Sequence, residues 1–148
     1  AGLRAGTLPT ALIVGFATAA QLAMADREER QQRLGQLRDR LWAALQERIP
    51  DLRRNGAKRP RLSHNLNITI PGVNGAQLHR SLRRQLACSS GSACSHGAPS
   101  HVLRAIGLSR AEAEASLRLS LGRSTTEADI EAAAACISDH VDDLRRAH

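Results

Sequence analysis

One amphipathic stripe constrains the fold of this chain more than any other feature. Its apolar side chains recur at intervals of three and four residues until the chain reaches Pro50: Leu34, Leu37, Leu41, Leu45 and Ile49. This spacing places them on one face of an α-helix, which must be buried against a core. Together with the apolar residues before it, the stripe predicts one long helix, with room for a bend, from about Thr10 to Arg48.

The remainder of the chain alternates between short strands and helices. Residues Asn65 to Ile70 and Leu117 to Leu121 alternate between apolar and polar side chains, which is typical of half-buried strands. Two shorter strands are expected at Leu52 to Arg54 and at Gln85 to Cys88. Helices are expected in four further places: Gly75 to Arg84, Pro99 to Ile106, after Ser109 and after Ser124. The fold class is therefore α+β, a three- or four-stranded antiparallel sheet backed by helices and preceded by the long helix.

Capping boxes mark the starts of three of these helices. In this pattern a polar residue is followed three positions later by a residue such as Glu or Gln, and it occurs at three pairs: Asn74 with Gln77, Ser109 with Glu112, and Ser124 with Glu127. The final helix also carries an apolar stripe: Ile130, Ala134, Ile137, Val141 and Leu144.

The composition allows one ordinary domain and argues against several classes of function. The chain has 148 residues and a formal net charge of +7, and its aromatic side chains are Phe16 and Trp42. Because no aromatic residue is interleaved with the arginines for base stacking, a solvated surface is favoured over nucleic-acid binding. Three cysteines without framework spacing suit a reducing compartment. Residues Leu8 to Ala23 are too short and too polar to span a membrane, so we expect a cytoplasmic protein with neither a membrane nor a nucleic acid as partner.

A run of small residues from Ser89 to Cys94 ends in a thiol. Such a run has little apolar area to bury and much backbone freedom, so it predicts a flexible loop. Reactive groups often lie on loops of this kind, held by a rigid scaffold. A polar turn with an incidental cysteine is the competing interpretation, since free cysteines are commonly small buried apolar residues.

The chain resembles the C-terminal region of cysteine desulfurases of the NifS/IscS type, which are pyridoxal-phosphate (PLP) enzymes of fold type I. The segments that carry the resemblance occur in family order: Gly2 to Pro9 (GLRAGTLP), Ser89 to Cys94 (SSGSAC), Pro99 to Leu108 (PSHVLRAIGL) and Ser116 to Glu127 (SLRLSLGRSTTE). The resemblance implies that residues 1–50 form a connecting loop and a long helix leading from a large PLP domain. Residues 51–148 would then be the small C-terminal domain, with the catalytic Cys loop.

The resemblance also implies a role for each of three residues. Cys94 would attack the sulfur of PLP-bound L-cysteine, so that L-alanine is released and the sulfur stays on Cys94 as a persulfide. Arg118 would bind the α-carboxylate of the substrate, and Thr7 would contact the PLP phosphate of the neighbouring subunit in a homodimer. The sulfur would pass to an acceptor protein, a scaffold or a SufE-like protein, for iron–sulfur cluster or thio-cofactor assembly.

Departures from the family's pattern keep other interpretations open. The family's Schiff-base lysine precedes the segment that begins at Gly2, whereas the single lysine here, Lys58, lies in a polar loop. Ala5 stands where the family usually has Ser, and the stretch between Cys94 and Pro99 is short. We therefore expect these 148 residues alone to be inactive. A non-catalytic sulfur-carrier or dimerisation module is the alternative function, and a nucleic-acid-binding domain is a weaker one.

The remaining candidates are interpreted as structural. Cys88 and Cys136 fall on apolar faces and are expected in the core, and Arg123 is given a structural role. No metal site is expected, because the residues around the loop miss the usual zinc spacings: Cys88, Cys94, His96 and His101. His101 is expected at the base of the Cys loop.

Overall fold

The structure is a computed structural model that describes residues 5–89 and 99–147. Its elements, in chain order, are helices α1 to α6 and strands β1 to β3: α1 (Thr10–Ala25), α2 (Arg27–Arg48), β1 (Arg53–Arg54), β2 (Asn65–Thr69), α3 (Gly75–Leu82), α4 (His101–Ala105), α5 (Arg110–Glu114), β3 (Ser116–Ser120) and α6 (Glu127–Arg146). The strands form one antiparallel sheet in the order β1-β2-β3. The α+β prediction, with a short antiparallel sheet, is confirmed.

The core lies between one face of this sheet and the helices. Leu66 and Ile68 of β2 pair with Leu119 and Leu117 of β3 and point to the same side, where all four are buried. Helices α2 and α6 pack on each other, α2 also contacts β2, and α3 contacts both α6 and β3. The predicted α2 stripe is buried throughout: Leu34, Leu37, Leu41, Leu45 and Ile49.

The predicted long helix is interrupted at Asp26, so the structure has two helices where the sequence predicted one. The backbone of Asp26 (φ −114°, ψ 20°) leaves the helical region. Its carboxylate pairs with Arg30, one turn into α2, and with the guanidinium of Arg123, which lies 2.9 Å away. Arg33 donates to the backbone carbonyls of Arg123 (2.5 Å) and Thr125 (2.8 Å). These contacts fasten the start of α2 to the turn after β3.

The prediction of a strand at Gln85–Cys88 is wrong. Directly after α3, two consecutive backbone N–H groups donate to the carbonyl of Leu82, at 2.8 and 2.9 Å, and close a turn. Within the described residues only Ser89 then pairs with β3, through a single antiparallel bridge to Arg118. The backbone N–H groups of Gln85 and Leu86 are thus bonded within the turn and do not pair with a neighbouring strand.

Helix boundaries differ from the predictions by one or two residues. Helix α3 ends at Leu82 and α4 begins at His101, because the side chain of Ser100 caps it. The predicted caps of α3 and α5 are confirmed, the latter with both bonds of the box. The predicted cap of α6 is wrong, since Thr126 and Asp129 form its capping box, two residues later.

Helix α1 stands apart from this core. All described residues from 5 to 25 are exposed, and the apolar side chains of Leu12 (74%) and Phe16 (78%) face solvent over most of their surface. In the described part of the chain, α1 buries none of its residues. Its apolar side chains therefore lack the tertiary packing from which most helices in proteins gain their stability.

Gly75 is the tightest backbone contact among the glycines of the described residues. A Cβ at this position would lie 2.0 Å from the carbonyl oxygen of Glu114 and 3.4 Å from the Cα of Ala115. Since these are backbone atoms, neither can move aside without shifting the end of α5. The first turn of α3 can pack here only because residue 75 has no side chain.

We expect Gly75→Ala to lower the free energy of unfolding by about 2–3 kcal/mol, since an overpacked contact forces the backbone to shift. Gly35→Ala is the matched control: the nearest atom to its new Cβ is 3.9 Å away, and alanine inside a helix is favoured by about 0.5–1 kcal/mol. Urea unfolding followed by circular dichroism measures both. Equal stability of the two variants would contradict the close contact at Gly75.

Candidate functional site

The face of the sheet opposite the core is polar. Asn67 and Thr69 on β2 pair with Arg118 and Ser116 on β3, respectively. These four residues alternate with the buried leucines and isoleucine of the same strands, so their side chains share the other face. Asn55, which follows β1, joins them by donating its backbone N–H to the carbonyl of Asn67 at 2.9 Å.

A network of side-chain hydrogen bonds connects most of this face. Asn55 Nδ2 donates to Asn67 Oδ1 (2.7 Å) and to Ser116 Oγ (3.1 Å). Thr69 Oγ1 donates to Asn55 Oδ1 at 3.0 Å and lies 2.9 Å from Ser116 Oγ. Ser116 Oγ donates to the backbone carbonyl of Glu112 at 2.7 Å. Because every one of these buried groups has a partner, the network is a rigid support for the surface above it.

Arg118 lies at an open cleft next to this network. The cleft has a volume of about 430 Å³ and is bordered by residues of four separate segments, among them Asn55, Gly56, Asn65, Asn67, His101 and Arg118. Among residues 5–89 and 99–147, no hydrogen bond or ion pair engages the Arg118 guanidinium. An exposed arginine in a cleft can bind a carboxylate in bidentate fashion. The structure therefore places Arg118 where the sequence analysis expects an anion-binding residue.

The segment that carries Cys94 begins and ends beside Arg118. The N–H of Ser89 donates to the carbonyl of Arg118 (3.0 Å), and the N–H of Arg118 donates to the carbonyl of Ser89 (2.6 Å). On the far side, His101 begins α4 and borders the same cleft. Cys94 itself lies outside the described residues, so its assigned role stays a prediction, as does the position of His101 relative to the Cys loop.

Thr7 lies elsewhere, in the exposed segment that leads into α1. No residue of that segment borders the Arg118 cleft, so the described chain does not bring Thr7 and Arg118 together. The first turn of α1 contains no acidic residue, and Gly6 has a positive φ of 79°. A hydroxyl followed by a helix N-terminus without acidic residues fits a phosphate group, which is the end of PLP that the resemblance assigns to Thr7.

The other end of PLP requires an amine, and the described chain offers none at the cleft. Lys58 is exposed in the loop between β1 and β2 and does not border the cleft around Arg118. The residues present therefore fit the phosphate of the cofactor and the carboxylate of a substrate, but not the carbonyl carbon of the cofactor.

Cys88 and Cys136 are half-buried at the edge of the core and are free thiols. Burial raises the pKa of the Cys88 thiol, and the neighbouring Cys136 raises it further. Burial and then Asp139 raise the pKa of Cys136, whose Sγ donates to Gln85 Oε1 at 3.3 Å. A raised pKa reduces the thiolate fraction, so both thiols are less nucleophilic near neutral pH than an exposed cysteine.

Sequence reasoning missed the network residues of the polar face. Asn55 is read from the sequence as part of an Asn-Gly turn, and Asn67 and Thr69 only as the polar half of an alternating strand. That alternation was the available signal: two consecutive polar positions on the face that also carries Arg118.

Among the described residues, no group of three His, Cys, Asp or Glu side chains could hold a metal ion, and no helix is long and apolar enough to cross a membrane.

Comparisons with known proteins show which family and which relatives this chain is similar to. The model of the aminotransferase class-V family matches residues 1–133. The cysteine desulfurase IscS of Rickettsia typhi is 42% identical over 147 residues, and that of Shewanella baltica is 43% identical over 146 residues. The match covers 98% and 97% of this chain, respectively, and 36% of each relative. The chain thus spans little more than a third of the length of these relatives.

Solved structures of NifS-like proteins have the same fold as this chain over part of their length. A structure titled NifS-like protein superposes with a TM-score of 0.83 at 25% identity, covering 97% of this chain and 36% of that one. A NifS-like protein from Rickettsia africae has a TM-score of 0.81 at 28% identity, covering 95% and 37%. The described fold is therefore that of one part of these larger proteins.

We expect Asn55→Ala to lower the free energy of unfolding by about 1–3 kcal/mol, because it removes the side-chain hydrogen bonds to Asn67, Thr69 and Ser116 from a largely buried network. Asn65→Ala is the control, since the Asn65 side chain makes no hydrogen bond within the described residues and should change stability by less than about 0.5 kcal/mol. Thermal and urea unfolding measure both variants. A loss at Asn65 equal to that at Asn55 would contradict the network.

Proposed function

The chain belongs to the aminotransferase class-V family, and on that premise we propose that it is the Cys94-bearing part of a cysteine desulfurase. In this proposal the complete enzyme converts L-cysteine to L-alanine and holds the released sulfur on Cys94 as a persulfide. The relatives named cysteine desulfurase IscS support the activity, since each matches nearly the whole of this chain.

One observation carries the proposal further than the likeness does. Ser89, five residues before Cys94, is paired with Arg118 by two backbone hydrogen bonds. Five residues span at most about 18 Å, so the covalent chain confines the thiol to the neighbourhood of the arginine. A substrate held by its carboxylate at Arg118 would therefore be within reach of a thiol on this loop.

In the proposed reaction Arg118 orients L-cysteine by its α-carboxylate. The thiolate of Cys94 forms a bond to the substrate sulfur as the substrate carbon–sulfur bond breaks. The electron pair of that bond stays with the carbon skeleton, which takes up a proton and leaves as alanine. The thiolate is the reacting form, so Cys94 must be deprotonated and exposed when it attacks.

PLP is the cofactor of this proposal, and when bound it supplies the electron sink that allows bonds at the substrate carbons to break. Of the residues described here, Thr7 would hold its phosphate, from the neighbouring subunit of a homodimer. The lysine that binds the cofactor is expected from polypeptide outside these residues. In the same proposal, residues 1–50 lead from a large PLP domain and residues 51–148 form the small domain. An acceptor protein, a scaffold or a SufE-like protein in the cytoplasm, would take the sulfur for iron–sulfur cluster or thio-cofactor assembly.

A sulfur-carrier or dimerisation module remains the second candidate, because Lys58, the single lysine of the sequence, does not border the Arg118 cleft. Such a module would accept persulfide sulfur on Cys94 from another protein and would release no alanine from L-cysteine. Alanine release by the full-length, PLP-loaded protein supports the desulfurase. Persulfide on Cys94 that appears only with a separate sulfur donor supports the carrier.

We expect Arg118→Ala to lower kcat/KM for L-cysteine about 10–100-fold, because a hydrogen-bonded charge pair contributes about 1.5–3 kcal/mol. Arg118→Lys keeps the charge without the bidentate geometry and should lose less, about tenfold. Arg110→Ala is the matched control, since Arg110 is exposed and pairs with Glu114 at 2.8 Å, away from the cleft. Alanine release in the full-length enzyme measures all three, and an Arg118 variant with parental kcat/KM would contradict the assignment.

We expect Cys94→Ser to abolish persulfide formation, whereas Cys88→Ser and Cys136→Ser retain it. The pKa values of Cys88 and Cys136 are raised, mainly by burial, so their thiolate fractions stay low until the pH rises above the ordinary thiol range. Iodoacetamide should thus modify them more slowly near neutral pH than a cysteine in an unfolded peptide, with the difference vanishing in denaturant. Site-resolved mass spectrometry measures both effects, and persulfide on Cys88 in the Cys94→Ser protein would contradict this.

A further inference from the structure

Asn67 lies directly across the sheet from Arg118 and borders the same cleft. The two residues are register partners in neighbouring antiparallel strands, so their Cβ atoms lie about 5 Å apart. Both contribute to the lining of the cleft. Whether the Asn67 amide turns its oxygen or its NH₂ group toward the cleft therefore decides which ligand group can bind next to the guanidinium.

The orientation of this amide follows from a chain of hydrogen bonds that starts at a backbone carbonyl. The carbonyl of Glu112 can only accept, so the hydroxyl of Ser116 donates its single proton to it, over 2.7 Å. Ser116 Oγ then accepts from the NH₂ group of Asn55 at 3.1 Å. The same NH₂ group donates its second proton to Asn67 Oδ1 at 2.7 Å.

In this arrangement Asn55 Oδ1 accepts the proton of Thr69 Oγ1 at 3.0 Å. The NH₂ group of Asn55 is then shared by Ser116 and Asn67. With Oδ1 of Asn67 occupied by Asn55, the Nδ2 group is the half of the Asn67 amide that remains for the cleft. The cleft wall opposite Arg118 is thus a neutral donor.

The cleft therefore holds two neighbouring donor groups that lack acceptors. Within the described ranges, neither Asn67 Nδ2 nor the Arg118 guanidinium has a hydrogen-bond acceptor or an anionic partner. A carboxylate has two oxygens that accept hydrogen bonds and carries a single negative charge. One cation and one neutral amide match that charge, and together they can reach both oxygens.

We propose that Asn67 is a second binding residue for the substrate carboxylate, donating from Nδ2 to one oxygen while Arg118 binds the other. Asn55 is the positioning residue that fixes the Asn67 amide with its donor toward the cleft. This inference rests on the proposed function, and it explains why a buried network lies directly beneath an otherwise exposed arginine. It also gives β2 a part in substrate recognition, in addition to the part that the family resemblance gives to Arg118 on β3.

Asn67→Asp in the full-length, PLP-loaded enzyme tests the inference. Aspartate keeps the size of the side chain and an oxygen that accepts from Asn55, but it replaces the donor beside Arg118 by a negatively charged acceptor. That carboxylate would pair with Arg118 and repel the substrate, so KM for L-cysteine should rise at least about tenfold while kcat changes less than about threefold. Asn67→Ala only removes the donor and should raise KM about 3–10-fold. A purely structural Asn67 would leave KM unchanged in the alanine variant, which adds no charge beside Arg118.

Two competitors separate carboxylate binding from a general disturbance of the site. β-Mercaptopropionate keeps the thiol and the carboxylate of the substrate, whereas cysteamine keeps the thiol and the amine but has no carboxylate. Asn67→Ala, which removes the donor without adding a charge, should weaken inhibition by β-mercaptopropionate about 3–10-fold and leave inhibition by cysteamine within about twofold. Equal weakening of both competitors would overturn the inference. Gln77→Glu, which adds the same charge at an exposed position of α3 that does not border the cleft, should change KM less than about threefold.

A binding measurement distinguishes failure of this inference from failure of the proposed function. If the full-length protein releases no alanine, the proposed activity is wrong, yet β-mercaptopropionate should still shift the nitrogen-15 side-chain resonances of Asn67 and Arg118 together. A weaker Arg118 shift in Asn67→Ala at the same β-mercaptopropionate concentration, with unchanged circular dichroism, supports the carboxylate pair. A shift at Arg118 alone in the parent protein overturns the role of Asn67, whether or not the enzyme is active.

Discussion

The register between β2 and β3 is the constraint on which the rest of the structure depends. Leu66 and Ile68 face Leu119 and Leu117 across this pair of strands, and all four are buried in the core. Because side chains alternate between the two faces, a slip of one residue would bury Arg118 and expose the leucines. The same packing that stabilises the domain therefore fixes the arginine on the opposite face, at the cleft.

The polar face uses a second constraint, which is the satisfaction of buried donors and acceptors. Thr69 and Ser116 are 2% exposed and Asn55 is 8% exposed, so an unpaired hydroxyl or amide at these positions would be strongly destabilising. Their mutual bonds remove that penalty and leave few alternative arrangements. The bridge between Ser89 and Arg118 then ties the segment that carries Cys94 to the same rigid surface. The bridge thereby fixes Ser89, the last described residue before Cys94, relative to Arg118.

Local patterns in the sequence predict those parts of the fold that local forces decide. The α2 stripe, the alternation in β2 and β3 and the capping box at Ser109 each follow from spacing alone, and the structure has all of them. The break at Asp26 depends on Arg123, nearly a hundred residues later, which no local window contains. The same distinction applies to the candidate site. Alternation within β3 predicts that Arg118 faces away from the core. The contacts of Asn55 could not be predicted locally, because they form only when the segment after β1, β2 and β3 come together. The predicted roles of Thr7 and Cys94 came from the family resemblance and depend on groups outside the described chain.

The exposure of α1 indicates how the two halves of the proposed site relate. A helix of sixteen residues that buries none of them is marginally stable in water, and Leu12 and Phe16 give it an apolar surface that is normally covered in folded proteins. Thr7 precedes this helix, so its position is set by whatever surface covers α1 and not by the core that holds Arg118. In the proposed function, contact with the cofactor phosphate and binding of the substrate carboxylate would therefore depend on separate packing surfaces. The proposed homodimer with shared sites would use this separation, because one subunit would supply Thr7 to the active site in which the other would supply Arg118.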